Sequence, residues 1–151
     1  MDGKDAGELE PSNEVDDPSA MLRRLEAATN AHDLEALTDC FAQDYENETP
    51  VHPARGFRGR HQVRLNWQMI FDGVPDLRAR VLRSVTAANE VWSEWEMSGH
   101  RRDGVRHLMR GVVIFTVEHG RAVRARFYLE PVDARDSDVN AAVAATVGTG
   151  P

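Results

Sequence analysis

At Asp76 the spacing of apolar residues along the chain changes, and that change leaves few folds open. Upstream, apolar residues recur at threes and fours. Met21, Leu22, Leu25 and Ala28 form one such stretch, and Val63, Trp67, Ile70 and Phe71 form another; this is the stripe of an amphipathic helix. Downstream the period is two. Leu77, Ala79, Val81 and Val85 alternate with arginines, although Arg83 lies on the apolar side, and Val91, Ser93, Trp95 and Met97 follow in the same way. Alternation of this kind gives a strand with two unlike faces. Helices first and strands second predict an α+β domain, its helices gathered on one face of a bent antiparallel sheet. Such a sheet leaves a cone-shaped pocket, a place where small molecules bind.

Local signals set the boundaries. Asp17-Pro18 supplies an N-cap and a proline at the first helical position. Asn30 to Asp33 breaks that helix, and Asp33 caps a second one with Leu34, Leu37 and Phe41 on one stripe. Asp44 to Thr49 reads as a short strand stopped by Pro50, and residues 51–59 as loop. A third helix is predicted over Arg60 to Phe71, ended by Gly73 and Pro75. Turns are predicted at Ala87 to Glu90, at Asp103-Gly104 and at Glu118 to Gly120. The last turn joins the two arms of a long hairpin, Leu108 to Asp133. Its second arm carries Tyr128 and Glu130 two residues apart, so they share a face, and both are expected to point into the apolar concavity.

The formal charge is −7, but it is unevenly placed. Residues 1–17 hold seven acids against Lys4, and residues 18–133 hold equal numbers of acids and bases. The division expected is a disordered acidic tail over 1–17, a folded domain over 18–133 and a flexible tail over 134–151, with at most a weak, fraying helix at Ala141 to Ala145. A neutral domain lacks the basic footprint of a nucleic-acid binder. No run of apolar residues is long enough for a bilayer, and the N-terminus does not read as a secretion signal. Cys40 is the only cysteine, so there is no internal disulfide and no cysteine metal cluster. A cytoplasmic setting is the resulting expectation. The six histidines show no zinc-helix spacing; they are expected to be solvent-exposed, with His52 reaching the pocket mouth. No metal and no cofactor are expected.

Several phrases carry a resemblance: ATNAHDLEALTDCFAQDY at 28–45, GFRGRHQV at 56–63, VPDLRARV at 74–81, VWSEWEMSGH at 91–100 and GVVIFTVEHGRAVRARFYLEP at 111–131. Together they make residues 18–133 resemble the nuclear transport factor two-like superfamily, and within it the SnoaL-like polyketide cyclases. Limonene epoxide hydrolase and ketosteroid isomerase are more distant relatives. The resemblance implies a cystatin-like topology, a cone-shaped antiparallel sheet wrapped around three N-terminal helices. It also implies a homodimer across the open sheet face, where Trp92 stands among Glu94 and Glu96. Tyr45 and Asn47 match a tyrosine and asparagine that hold water in the epoxide hydrolases, and Glu130 stands where those enzymes end in an aspartate. Their arginine–aspartate pair is replaced here by Trp95 and Met97.

Glu130, Tyr45 and Asn47 are therefore the candidate catalytic residues. A carboxylate facing an apolar pocket has its pKa raised by desolvation, which suits acid/base work. Trp67, Phe71, Trp95, Met97 and Tyr128 are candidate lining for a small apolar ligand. Two functions remain open. One is a cofactor-free isomerase, cyclase or hydrolase acting on a small apolar carbonyl-type molecule. The other is a non-catalytic ligand-binding or dimerisation module.

Overall fold

A computed structural model describes residues 17–135 and 137–149. The acidic tail expected over residues 1–17 lies outside the described residues except for Asp17. That aspartate caps α1 (Pro18–Ala31), its carboxylate accepting from the Ser19 amide at 2.9 Å. Helix α1 buries Met21, Leu22, Leu25 and Ala28; full burial of a side chain of the larger sizes contributes roughly 1.5–3 kcal/mol. Asp33 caps α2 (Leu34–Asp39) through the Ala36 amide. Helix α3 spans Arg60–Gly73 and α4 spans Val139–Val147.

The strands are β1 (Phe41–Glu48), β2 (Phe57–Arg58), β3 (Arg78–Ala87), β4 (Glu90–His100), β5 (Arg106–Glu118) and β6 (Arg121–Pro131). They form one curved, unclosed sheet in the order β2-β1-β6-β5-β4-β3. It is antiparallel except where β1 runs parallel to β6, so the sheet is mixed. Phe41 belongs to β1 rather than to the stripe of α2: the Ala122 amide donates to the Cys40 carbonyl and draws the chain into the sheet there. The C-terminal helix is also longer than the composition suggests, because Asp138 caps it at the Ala141 amide.

The edge strand β3 is tied to α1. Asn30 exchanges two 2.8 Å hydrogen bonds with the backbone of Ala79, and Glu26 accepts from the Val81 amide. Side chains thus occupy backbone groups that an edge leaves unpaired. Along β4 the alternation holds: Val91, Ser93, Trp95 and Met97 are buried on the inner face, and Trp92 is 52% exposed on the outer one. The Trp95 indole donates to Ser93 Oγ, which donates to the Val113 carbonyl. A register shift between Val81 and Arg83 explains the arginine on the apolar side. It puts Arg83 opposite Glu94 and Val85 opposite Trp92, on the open face. No helix of the described residues is long and apolar enough to cross a membrane.

Candidate active site

A cavity of about 300 Å³, open on one side, lies between α3 and the inner face of the sheet. Helix α3 gives it Val63, Trp67 and Ile70 from its apolar stripe. The sheet gives Met97, Met109, Phe127 and Leu129, and the β1–β2 side gives Phe41, Tyr45 and Phe57. Polar atoms enter from α3 through Asn66 and from the strand ends and the loop after β1. Asn47 and Thr49 come from the end of β1, Arg55 from the following loop, Glu130 from the end of β6 and His107 from the start of β5. An apolar chamber with a few convergent polar groups is the usual form of a small-molecule site.

Tyr45 and Asn47 are both in the cavity wall, and they act as a unit. Tyr45 is 1% exposed, and burial pushes its phenol far above its ordinary pKa, so it stays protonated. Its hydroxyl donates to Asn47 Oδ1 at 2.8 Å. The Asn47 amide nitrogen then faces Thr49 Oγ1 at 3.4 Å, a long contact that leaves donor capacity for a ligand. Tyr45 has spent its proton on Asn47, so Asn47 is the donor the cavity presents.

The second arm of the long hairpin requires a correction. Val113 pairs with Phe127 and Gly111 with Leu129, whereas Val112 pairs with Tyr128 and Arg110 with Glu130. The inward residues are therefore Phe127 and Leu129, and Tyr128 belongs to the open face, outside the cavity lining. A bulge between Thr116 and Val117 is the cause: it moves the buried set from Ala122 to Ala125, so alternation counted from the turn ends on the wrong face. Glu130 reaches the cavity all the same, because β6 ends there. Its carboxylate, 35% exposed, meets His52 Nε2 at 3.2 Å and Arg55 at 4.0 Å.

Two expected lining residues lie elsewhere. Trp95 is deep core at 1% exposure, held by Ser93. Phe71 packs behind the wall, stacked on His32 at 4.5 Å and tilted against Trp67. His32 is thereby half-buried, with Nε2 at 2.9 Å from the Leu77 carbonyl, and is not a solvent-exposed histidine. His52 does sit at the rim, against Glu130. Among the described residues no three histidine, cysteine or carboxylate side chains gather closely enough to hold a metal ion.

His107 is the lining residue that the turn-flanking position concealed. It stands two residues before Met109, which pairs with Met97 on the inner face; extending that alternation would have found it. Desolvation lowers its pKa below the ordinary imidazole value. Between its ordinary and its lowered pKa the unfolded chain binds more protons than the folded one, so stability is lost as pH falls through that window. Replacing His107 with Asn is expected to remove that part of the acid sensitivity. Urea midpoints of the two proteins, measured between pH 7.5 and 5, should diverge toward acid in favour of the variant. Parallel curves would contradict a desolvated His107.

A family model described as a SnoaL-like domain matches residues 22–125. Among solved structures, a loop-truncation variant of IdmH is 25% identical over 75% of this chain and 92% of its own, with a TM-score of 0.63. An isomerase assigned from Bacillus subtilis is 18% identical, covers 88% of this chain and 94% of its own, and has a TM-score of 0.67. A SnoaL-like polyketide cyclase assigned from Shewanella denitrificans OS-217 is 11% identical over 75% and 90%, with a TM-score of 0.63. The latter two likenesses are of fold. No curated protein matches the chain.

Proposed function

The chain belongs to the SnoaL-like domain family, and on that premise we propose that it is a cofactor-free acid/base catalyst for a small, flat, apolar carbonyl-type molecule. One observation carries the reading: a largely apolar chamber of about 300 Å³ whose lining includes the donor Asn47 and a carboxylate, Glu130. A ligand carbonyl oxygen accepts from the Asn47 amide, which Tyr45 holds in place. The Glu130 carboxylate takes a proton from the carbon beside that carbonyl and returns it to another carbon. No atom is gained or lost, and the product is an isomer; where the carbanion instead adds to a second carbonyl of the same molecule, that C=O π bond opens, a ring forms and the new alkoxide oxygen takes the proton back from Glu130. His52 and Arg55 position the carboxylate at the rim. Fold neighbours described as an isomerase and a polyketide cyclase are consistent with this chemistry.

A second reading is favoured by one detail. Glu130 has two partners able to carry positive charge and is partly exposed, which suits a rim that binds without turnover. Exchange of the α-hydrogens of 2-tetralone in deuterated buffer, followed by proton NMR, separates the two. The catalyst should speed exchange, and Glu130→Gln should slow the protein-dependent rate about a hundredfold, the low end for a general base. Unchanged exchange in the variant would remove the proton role and leave a binding protein.

A further inference from the structure

An open groove adjoins the cavity. Ile70 and His107 line the cavity and also a groove of about 500 Å³ between the end of α3 and the β4–β5 hairpin. The near wall of the groove is Met69, Gly73 and Val74, and its far wall is Arg101, Arg102 and Asp103. Asp103 pairs with Arg101 across the hairpin tip. Arg102 is placed differently. Its Nε donates to the Asp72 carbonyl at 2.6 Å, which fixes the guanidinium against the end of α3, and among the described residues no carboxylate is within ion-pair distance of it. The terminal nitrogens of a guanidinium held this way are a fork for a carboxylate. His107, its pKa lowered by desolvation, keeps the boundary that the two spaces share uncharged at neutral pH.

We propose that the groove holds the carboxylate end of the molecule whose apolar body occupies the cavity, with Arg102 as the recognising cation. The substrate class is then that apolar carbonyl body extended by a carboxylate-bearing arm. This rests on the cavity being the binding site, as proposed above, and gives a role to Arg102, which is not part of the cavity lining.

The test is displacement of the neutral dye N-phenyl-1-naphthylamine from the full chain by decanoate and by decan-1-ol, at pH 8 and low salt. Arg102→Gln should weaken decanoate about fivefold, the upper range for a solvent-accessible ion pair, and leave decan-1-ol unchanged. Molar salt should weaken decanoate in the wild type similarly. Arg106→Gln removes the same charge nearby, outside the groove lining, and should change neither. Equal effects of Arg102→Gln on both competitors, or none, would overturn the proposal, as would a decanoate loss that follows Arg55→Gln instead. A wild type that does not bind the dye at all would overturn the cavity reading and the inference with it. Binding of the dye and decan-1-ol without sensitivity of decanoate to Arg102 would overturn the inference alone.

Discussion

Gly111→Ala is expected to destabilise the chain by about 3 kcal/mol or more, a large share of what a domain of this size has. Gly111 sits in the middle of β5, with Trp95 opposite on one side and Leu129 on the other. Its φ is +151°, where L side chains are rare. A Cβ here would lie 2.0 Å from the Tyr128 carbonyl oxygen and 2.8 Å from the Leu129 Cα. Both are backbone atoms of a paired strand, so no rotamer change relieves the contact. Relief requires parting β6 from β5, which loses ladder hydrogen bonds and displaces Phe127 and Leu129, two walls of the cavity. Urea denaturation followed by circular dichroism measures the loss. Gly73→Ala is the control, since a methyl there meets open space. Equal midpoints for Gly111→Ala and wild type would mean that β5 and β6 are not packed this closely.

The fold was largely legible because it rests on periodicity. The helical stripes of α1 and α3, the caps at Asp17 and Asp33 and the alternation of β4 are each local signals, and each corresponds to an observed element. What was not legible was parity. Bulges at Val81/Arg83 and at Thr116/Val117 each shift the buried set by one residue, and no residue type at either place announces it. For this reason simple alternation puts Tyr128 in the cavity and leaves out Phe127 and Leu129, which line it. The parallel pairing of β1 with β6 brings together segments far apart in the chain, which no short-range pattern reports. It sets Asn47 beside Ala125 of β6 and makes β1 part of the cavity wall, so part of the site depends on that pairing. Trp95 shows another limit. Alternation puts a side chain on the inner face, but cannot say whether that part of the face is packed core or open wall.

Filling the chamber is the change with the largest expected effect on binding. Met109 and Leu129 lie close together on its sheet wall. Met109→Trp combined with Leu129→Phe puts added bulk into the lumen, where space exists, rather than into close-packed core. Overpacking costs about 1–3 kcal/mol when no space is available. Here that cost is expected to fall on the ligand, as a loss of about a hundredfold in affinity, or 2.7 kcal/mol. Circular dichroism and the urea midpoint should stay near the wild-type values, which separates blocked binding from lost folding. The measurement that bears most directly on the cavity as the functional site is therefore a fluorescence titration of N-phenyl-1-naphthylamine into the wild type and this double variant. Saturable one-to-one binding to the wild type, lost in the folded variant, is expected. Equal affinity for both proteins would mean that the ligand sits elsewhere, and that the cavity between α3 and the sheet is not the site.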